Sequence, residues 1–225
     1  MSSTQHFIRT RLCVRPVPTL PTIRLFQAGP ESGLSERRRA KTPPYWAFVW
    51  GGGLALARYL IDHPSIVAGR SALDLGAGSG LVGIAAAKAG ASRILAADVD
   101  PDALVAVALN AAENEVEIFA IAEDLTLAAP PAVDVVLVGD LFYERSLALR
   151  VESFLDRSAA RGAKILVGDP GRKFLPSSRL SVVAEYPGVD FAQTARGKIN
   201  RVYTFGGVGA SAGARAICDS PLTSP

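Results

Sequence analysis

Short apolar runs alternate with amphipathic stretches through the middle of the chain. Brief runs bounded by glycine or polar residues are typical of buried strands, whereas apolar residues spaced three and four apart are typical of helices. The predicted strands are residues 71–75, 93–97, 117–122, 133–139 and 163–168. The predicted helices are residues 53–62, residues 81–89, one that opens at Pro101, and one near residues 144–158. This alternation predicts an α/β fold in which a parallel sheet is covered by helices on both faces.

The N-terminal part of the chain departs from this pattern. Residues 7–14 and 23–27 alternate apolar with polar side chains, and three prolines lie between them, so they predict a small antiparallel strand pair ahead of the main fold. Residues 29–42 are polar and include the basic cluster Arg37-Arg38-Arg39-Ala40-Lys41. A charge run of this length predicts a solvated loop.

The C-terminal part predicts strands followed by a tail. Residues 181–186, 191–195 and 201–205 are strand candidates, and the short turns between them predict that at least one is antiparallel. From Gly206 onward the residues are mostly Gly, Ala, Ser and Pro, which predicts disorder. The 225 residues therefore divide into an N-terminal extension with short strands and a basic loop (1–42), one α/β domain (43–205) and a tail (206–225).

The predicted strand at residues 71–75 ends in a glycine-rich turn, Asp74-Leu75-Gly76-Ala77-Gly78-Ser79-Gly80. Such glycines let the backbone turn tightly and let a ligand approach it closely. A nicotinamide-binding fingerprint requires Gly-x-Gly-x-x-Gly, but its third glycine is replaced here by Leu81. The turn instead resembles the first motif of S-adenosylmethionine (AdoMet) methyltransferases, in which an acid such as Asp74 suits the methionine ammonium. Taken alone, it is also compatible with an ordinary strand-to-helix connection.

A second acid strengthens the nucleotide-binding interpretation. Asp98 ends the strand at residues 93–97 and lies twenty residues after Gly78, an offset at which an acid can reach a ribose. Asp100 precedes Pro101 and is predicted to cap the next helix, so we assign Asp98 to the ribose hydroxyls. Asp124 either faces the adenine amino group or is an ordinary loop acid.

Other segments carry candidate chemistry outside the glycine turn. Residues 43–53 contain both tryptophans, which form either a core or lid cluster or, for Trp50, a wall of the cofactor pocket. Asp140 and Tyr143 follow the strand that ends at Gly139, and that edge of a parallel sheet is where ligands bind. Asp140 is therefore either a site residue or a helix cap. Residues 168–172, Gly-Asp-Pro-Gly-Arg, predict a tight turn at the same edge, with Arg172 either stabilising it or contacting an acidic substrate surface.

Taken together, these segments resemble the electron transfer flavoprotein β-subunit lysine methyltransferase family, within the seven-β-strand, class I AdoMet-dependent methyltransferases. The matching segments are PYWAFVWGGG, LDLGAGSG, ASRILAADVDP, VVLVGDLFY and ILVGDPGR, which span roughly residues 44–172. Where the family usually has Trp-Pro-Gly-Gly-Gln, this chain has Trp50-Gly51-Gly52-Gly53-Leu54. The resemblance implies a Rossmann-like sheet of seven strands.

The resemblance also implies a function and a set of site residues. The expected reaction is AdoMet-dependent methylation of a protein lysine, with the β subunit of electron transfer flavoprotein as the expected substrate and ribosomal proteins as a further possibility. Asp140 is expected to grip the target amine, and Tyr143 to provide a neighbouring hydroxyl or an aromatic wall. The expected cofactor-binding residues are Trp50, Asp74, Gly76, Gly78, Gly80, Asp98, Asp124 and Gly139.

Two alternatives remain open at this point. The chain could be an AdoMet enzyme for another substrate, or a cofactor-binding module without catalysis, although the acids at Asp74, Asp98 and Asp140 argue against the latter. A nucleic-acid substrate is not expected, because the chain lacks an Asn-Pro-Pro-Tyr type motif and its net charge is only +3.

The remaining composition predicts neither a metal site nor a membrane segment. Cys13 and Cys218 lie near opposite ends of the chain and His6 and His63 are isolated, so neither zinc-ligand spacing nor a disulfide framework is present. No apolar run approaches the roughly twenty residues that span a bilayer. We therefore expect a cytoplasmic protein, or one of the mitochondrial matrix if the host is eukaryotic.

Overall fold

The computed structural model describes residues 2–34, 43–188 and 199–206. Within these ranges, seven strands form one mixed sheet and two further strands form a separate antiparallel ribbon. The strands are β1 Cys13–Val17, β2 Leu20–Gln27, β3 Ser71–Leu75, β4 Arg93–Ala97, β5 Phe119–Ile121, β6 Val135–Gly139, β7 Lys164–Asp169, β8 Leu180–Pro187 and β9 Ile199–Phe205. The α-helices are α1 Ser3–Arg11, α2 Gly51–Asp62, α3 Leu81–Lys88, α4 Pro101–Glu113 and α5 Arg145–Ala160.

The strand order of the large sheet is β5-β4-β3-β6-β7-β9-β8. Strands β3 to β7 are parallel to one another, whereas β9 runs antiparallel to both β7 and β8. The predicted α/β class, the seven-stranded sheet and the antiparallel strand near the C-terminus are therefore confirmed. The chain moves from β3 outward to β5 and then returns to place β6 on the other side of β3, so the topological switch lies between β3 and β6. Ligands bind at such a point in open α/β sheets.

The main core lies on both faces of the sheet. One face packs against α5 through Phe154, Leu155 and Val151, all fully buried. The other face packs against α2 and α3 through residues such as Leu56 and Leu60. Because both faces are covered, the central strands read as continuous apolar runs rather than as alternating ones.

The prediction of a strand at residues 7–14 is wrong over most of its length. Residues 3–11 form α1, which is capped by the Ser2 hydroxyl accepting the backbone N–H of Gln5 at 3.1 Å. Ile8 and Leu12 are four residues apart and both are buried, so the same sequence also fits a helical period. The antiparallel pair itself is confirmed, but it is β1–β2, and Pro16 and Pro21 lie inside its strands. A two-stranded ribbon has only edge strands, where proline is tolerated.

A pair of buried asparagines attaches this ribbon to the main domain. The side-chain oxygen of Asn114, the C-cap residue of α4, accepts the backbone N–H of Arg24 on β2 at 3.0 Å. The side-chain oxygen of Asn110, on α4, accepts the backbone N–H of Phe26 on β2 at 2.8 Å. The amide nitrogen of Asn110 also donates to the carbonyl of Ser79, inside the glycine turn, at 2.8 Å. Asn110 therefore joins the ribbon to the turn after β3.

Helix α2 lies close to the carboxyl ends of β6 and β7, and glycines make this approach possible. A Cβ built on Gly139 would lie 3.0 Å from the Cα of Gly53, so a larger residue at position 139 would push the helix away. A Cβ built on Gly51 would likewise lie 2.9 Å from the side chain of Asn200 on β9. The residues of α2 that depart from the family pattern, Gly51 and Leu54, are thus packing residues, and Leu54 is buried.

Several predictions lie outside the described residues. They are the basic cluster at residues 37–41, the strand at residues 191–195, Cys218 and the tail beyond Gly206. The proposed division into extension, domain and tail stays a prediction. In the ranges that the structure describes, none of the helices combines the length and apolar content of a bilayer span.

Candidate active site

A cleft of about 290 Å³ opens at the topological switch, at the carboxyl ends of the parallel strands. This volume is near the lower end of the range of about 300–1,000 Å³ found for small-molecule sites. The predicted site residues that line it are Trp50, Gly76, Gly78, Asp98, Asp124, Gly139, Asp140 and Tyr143. Among the described residues, Asp74 and Gly80 do not line the cleft. The structure therefore brings most of the predicted set to one place.

The glycine turn after β3 has left-handed backbone where its glycines fall. Gly76, Gly78 and Gly80 have φ values of 67°, 52° and 79°, which residues with a side chain rarely adopt. The backbone N–H of Gly78 donates to Asp98 Oδ2 at 2.9 Å, and the N–H of Asp100 donates to Asp98 Oδ1 at 2.9 Å. Asp98 thus fastens the turn after β3 to the end of β4 while lining the cleft.

The carboxylate of Asp98 is largely removed from solvent. Burial raises the pKa of Asp98, and the N–H donors of Asp100 and Gly78 oppose that rise. A partly desolvated carboxylate makes stronger hydrogen bonds than one in water, which suits recognition of a pair of neighbouring hydroxyls.

Asp74 lies beneath the turn rather than in the cleft. It is 1% exposed, and its Oδ2 accepts the backbone N–H of Gly83 in the first turn of α3 at 2.8 Å. Burial raises the pKa of Asp74 to about 7, with a smaller contribution from the charge of Asp98 and an opposing one from the Gly83 N–H. Its position fits a role in holding the strand–turn–helix unit together.

Asp124 is a loop acid that also lines the cleft, and a contact with the adenine amino group stays a prediction. It caps the short 3₁₀ turn at Leu125–Leu127, because its Oδ1 accepts the Thr126 N–H at 3.1 Å and the Thr126 hydroxyl at 2.5 Å. The cleft lining thus includes both Asp124 and Asp98.

Both tryptophans line the cleft, but they differ in burial. Trp46 is 2% exposed and packs in a cluster with Ile8 and Leu12. Trp50 lines the cleft, where its indole N–H donates to the carbonyl of Tyr45 at 2.8 Å. The centroid of the Tyr45 ring lies 5.4 Å from that of Trp50, in an edge-on arrangement, and 5.7 Å from that of Tyr143. These three aromatic side chains therefore form one wall.

Asp140 has an unusual backbone and a fully engaged carboxylate. Its φ is 64°, a conformation that Asp and Asn tolerate better than most residues. Its Oδ2 accepts the backbone N–H of Gly52 at 3.2 Å, and its Oδ1 accepts Arg172 Nε at 2.5 Å. Trp50 is the N-cap residue of α2 and its side chain makes no capping bond, so Asp140, which follows β6, supplies the acceptor for the Gly52 N–H. The capping alternative therefore applies to α2, while the same carboxylate lines the cleft.

Arg172 is held in place at both ends. Asp169 Oδ1 accepts the backbone N–H groups of Gly171 and Arg172, each at 2.6 Å, which fixes the turn after β7. The guanidinium lies beside Asp140, 5.9 Å from the centre of the Trp50 ring. Burial raises the pKa of Asp169 to about 6, with the charge of Asp140 adding to the rise and the Arg172 N–H opposing it.

Sequence reasoning missed part of this arrangement. Asp169 could have been found from the Asp-Pro-Gly-Arg turn, in which aspartate commonly accepts the N–H two residues ahead. Tyr45 was included in the aromatic segment without a role of its own. Asn200, 1% exposed and packed against Gly51, carries no signal in the sequence.

The described lining fits AdoMet. Gly78 leaves open space, since a Cβ there would meet only the Trp46 backbone at 3.9 Å, and Asp98 presents a carboxylate beside it. Apolar and aromatic side chains form most of the remaining surface, including Leu75, Leu125 and Trp50. An amino-acid nucleoside with ribose hydroxyls, a planar base and a weakly hydrated sulfonium centre matches such a lining.

Comparison with known proteins places this cleft in a family context. The family model described as ribosomal protein L11 methyltransferase (PrmA) matches residues 59–141, which include the glycine turn, Asp98 and Asp140. The electron transfer flavoprotein β-subunit lysine methyltransferase of Rattus norvegicus is 45% identical over 131 residues, which are 57% of this chain and 51% of that protein. The protein of the same name from Xenopus laevis is 41% identical over 160 residues, covering 69% and 65% of the two chains. This chain thus spans about half the length of the first of these relatives.

Solved structures share the fold at low identity. A putative RNA methyltransferase from Pyrococcus horikoshii has a TM-score of 0.55 at 16% identity and covers 76% of this chain and 91% of its own. A putative methyltransferase complexed with S-adenosylhomocysteine has a TM-score of 0.51 at 13% identity, covering 69% and 49%. These likenesses confirm the methyltransferase fold, and the matched methyltransferase family supports AdoMet as the cofactor. The predicted resemblance is confirmed: the chain is a homologue of the electron transfer flavoprotein β-subunit lysine methyltransferases and carries a PrmA-like methyltransferase domain.

Proposed function

We propose that this chain is an AdoMet-dependent protein-lysine N-methyltransferase that acts on the β subunit of electron transfer flavoprotein. The substrate comes from the names of relatives that this chain covers for about half of their length. The observation that carries the proposal is that one cleft holds both the acids suited to a nucleoside, Asp98 and Asp124, and a buried carboxylate beside aromatic rings suited to an amine, Asp140 with Tyr45 and Tyr143.

On the cofactor side, the chain supplies anchoring groups. AdoMet, when bound, supplies an electrophilic methyl group on a positively charged sulfur. Asp98 is proposed to accept the ribose hydroxyls, and the open space beside Gly78 lets the amino-acid part approach the turn. Asp74, buried under the turn, supports this geometry through the Gly83 N–H.

On the amine side, the chain supplies orientation. A lysine has to be neutral before its nitrogen can attack carbon, and its amine and the methyl group have to be held in line. Asp140 is proposed to receive the amine at the edge of the cleft. Burial raises the pKa of Tyr143 to about 12, so this side chain keeps its proton at neutral pH and acts as a hydroxyl or an aromatic wall rather than as a base. The rings of Tyr45, Trp50 and Tyr143 suit the apolar stem of the incoming lysine.

The direct test is methyl transfer to purified β subunit. The protein is incubated with the subunit and labelled AdoMet, and the product is analysed by intact mass and by peptide mapping. We expect added mass in multiples of one methyl group, located on lysine. Binding of S-adenosylhomocysteine without any incorporation into the subunit would contradict the proposed substrate while leaving the cofactor assignment in place.

A ribosomal protein is the second candidate substrate. It is favoured by the match to the L11 methyltransferase model and by 42% identity over 95 residues to the enzyme of that name from Dichelobacter nodosus. A competition assay that offers the flavoprotein subunit, ribosomal protein L11 and RNA to one enzyme preparation ranks the three classes by kcat/KM. The cytoplasmic or mitochondrial location stays a prediction.

A further inference from the structure

The cleft is unusually rich in carboxylates for a site that has to use a neutral amine. Among the described residues that line it, Arg172 is the one Lys or Arg side chain. The acids that line the cleft are Asp98, Asp100, Glu123, Asp124 and Asp140. Carboxylates attract a lysine side chain but also stabilise its charged form, because an opposite charge within a few ångströms raises the pKa of an amine. A free lysine already has a pKa of about 10.4, so a further rise would leave less of the reactive form at neutral pH.

Arg172 lies where it offsets this effect. Its Nε is 2.5 Å from Asp140 Oδ1, and the side chains are 18% and 4% exposed, so the pair is largely removed from solvent. The backbone of Arg172 is fixed by Asp169, and its guanidinium is flanked by Trp50. Because both its backbone and its guanidinium are in contact with fixed groups, the Arg172 side chain keeps its position when a substrate binds. Asp140 Oδ2 faces the Gly52 N–H, so neither oxygen of Asp140 acts as an isolated anion.

We propose that Arg172 is a positioning residue that neutralises Asp140, so that the cleft accepts the target lysine as a neutral amine rather than as an ammonium ion. This inference rests on the proposed lysine-methyltransferase function. Without the guanidinium, Asp140 would form an ion pair with the ammonium and hold it in its unreactive state. With the guanidinium in place, Asp140 acts as a hydrogen-bond acceptor that aligns the amine, and the nearby positive charge disfavours a second one.

The atoms of the reaction balance with water as the proton acceptor. The lysine ammonium loses one proton to water before attack, and the nitrogen lone pair then forms the new N–C bond. The C–S bond of the sulfonium breaks as that bond forms, and its electron pair stays on sulfur to give the thioether. The newly methylated ammonium leaves the cleft charged, or loses its proton to water before another round.

Several titratable groups interact with the pair or with its neighbours Asp169 and Tyr143, and they define the pH range of the test. They are Asp169 and Tyr203 on the sheet, Glu144 and Tyr143 after β6, Tyr45 before α2, and Asp98 after β4. Burial raises the pKa of Asp169 to about 6 and that of Tyr143 to about 12. Neither group therefore has its midpoint between pH 7.5 and 10, where loss of the substrate proton is followed.

The test compares Arg172→Gln with Arg172→Lys, which keeps the charge. For each variant and the wild type, kcat and KM for the flavoprotein β subunit are measured from pH 7.5 to 10, together with S-adenosylhomocysteine affinity and the melting temperature. We expect the alkaline rise of kcat to move up by at least half a pH unit in Arg172→Gln. Its kcat should fall at least threefold at pH 7.5 and approach the wild-type value at pH 10, with KM unchanged or lower. Arg172→Lys should keep the wild-type profile.

The possible outcomes separate this inference from its alternatives. A role limited to holding the turn would lower kcat by the same factor at every pH, and a profile of Arg172→Gln parallel to that of the wild type overturns the inference. If Arg172→Gln does not fold, Arg172→Met, which keeps the stem beside Trp50, takes its place. Failure of both uncharged variants to fold, with Arg172→Lys folded but inactive, also overturns it. Absence of lysine methylation by the wild type rejects the proposed function itself, and this inference with it.

Discussion

Gly52 and Gly168 pack backbone against backbone, with a Cβ at Gly168 falling 2.1 Å from the carbonyl oxygen of Gly52. A Cβ at Gly52 would fall 2.3 Å from the carbonyl oxygen of Gly168. Since Gly52 also donates its N–H to Asp140, this contact sets the distance between α2 and the acid at the end of β6. Neither position has room for a side chain unless the helix moves.

The first prediction concerns this contact. Gly52→Ala should lower the free energy of unfolding by about 1–3 kcal/mol, because overpacking against fixed backbone forces a shift of the helix. Gly53→Ala is the matched control, since a Cβ there would lie 3.8 Å from Val82, an ordinary contact. This control should be neutral or gain up to about 1 kcal/mol from helix propensity. Urea unfolding measures the stability of both variants. A free energy of unfolding for Gly52→Ala equal to that of Gly53→Ala would show that α2 shifts without loss of stability.

The second prediction concerns Asp98 and the cofactor. Asp98→Ala should weaken binding of S-adenosylhomocysteine by about 1–3 kcal/mol, because charge-assisted hydrogen bonds are lost. Asp62→Asn is the control, since Asp62 is an exposed acid that pairs with Arg58 and does not line the cleft. Calorimetric titration with AdoMet, S-adenosylhomocysteine and NAD gives the comparison. Binding of NAD in preference to AdoMet would overturn the cofactor assignment.

The third prediction uses the different positions of the tryptophans. Binding of S-adenosylhomocysteine should change the indole fluorescence, because both tryptophans line the cleft, and Trp50 should dominate the response, since the Trp46 side chain is 2% exposed and packs against Ile8 and Leu12. Trp50→Phe should remove most of the change while leaving the Trp46 emission in place. A change that persists undiminished in Trp50→Phe would place the response elsewhere.

The fourth prediction concerns Asp140. Asp140→Asn should fold, because asparagine tolerates the φ of 64°, and should bind S-adenosylhomocysteine within about twofold of the wild type. It should transfer methyl groups to the flavoprotein subunit at least about tenfold more slowly, a loss of some 1.4 kcal/mol. Steady-state kinetics with a melting curve for each protein provides the measurement. Near-normal turnover would leave Asp140 only its structural bond to Gly52.

The fifth prediction concerns pH and stability. Burial raises the pKa of Asp74 from 3.8 to about 7, so between these values the folded state holds a proton that the unfolded state has released. Folding therefore becomes less favourable as the pH rises through this window. The side chain of Asp74→Asn does not titrate. The free energy of unfolding of the variant minus that of the wild type should therefore be larger at pH 8 than at pH 5. Urea unfolding at the two values tests the sign. A difference that does not depend on pH would indicate that Asp74 does not titrate in this range.

The sequence predicted those parts of the fold that depend on local pattern. The strands at residues 71–75 and 93–97 were placed with the observed bounds, because glycine and charged residues delimit their apolar runs. The α1 segment was predicted wrongly, because two patterns fit its residues. Ile8 and Leu12 have helical spacing, while apolar and polar residues also alternate as in a strand. The Ser2 cap favours the helix. The local hydrophobic pattern therefore does not decide between helix and strand where both periods fit the same residues.

The candidate site was predictable as a set of residues but not as a set of contacts. The positions of Asp98 and Asp140 at strand ends follow from the chain order, since parallel strands bring their carboxyl ends to one edge. The partners of Asp140 do not follow, since Gly52 and Arg172 are 88 and 32 residues away in sequence. No spacing rule connects a carboxylate after β6 to an N–H of α2. Only the packing of glycines against glycines brings them within hydrogen-bonding distance.

The side chain of Asn110 connects two regions whose stabilities are consequently linked. It accepts the N–H of Phe26 and donates to Ser79, so the N-terminal ribbon and the glycine turn share one rigid partner. A ligand that orders the glycine turn lowers the entropy cost of keeping the Asn110 side chain in place. By thermodynamic reciprocity, an ordered ribbon then increases the affinity for the ligand. The amide hydrogen of Phe26 should thus exchange with solvent more slowly when the cleft is filled, which makes an N-terminal amide a reporter of cofactor occupancy.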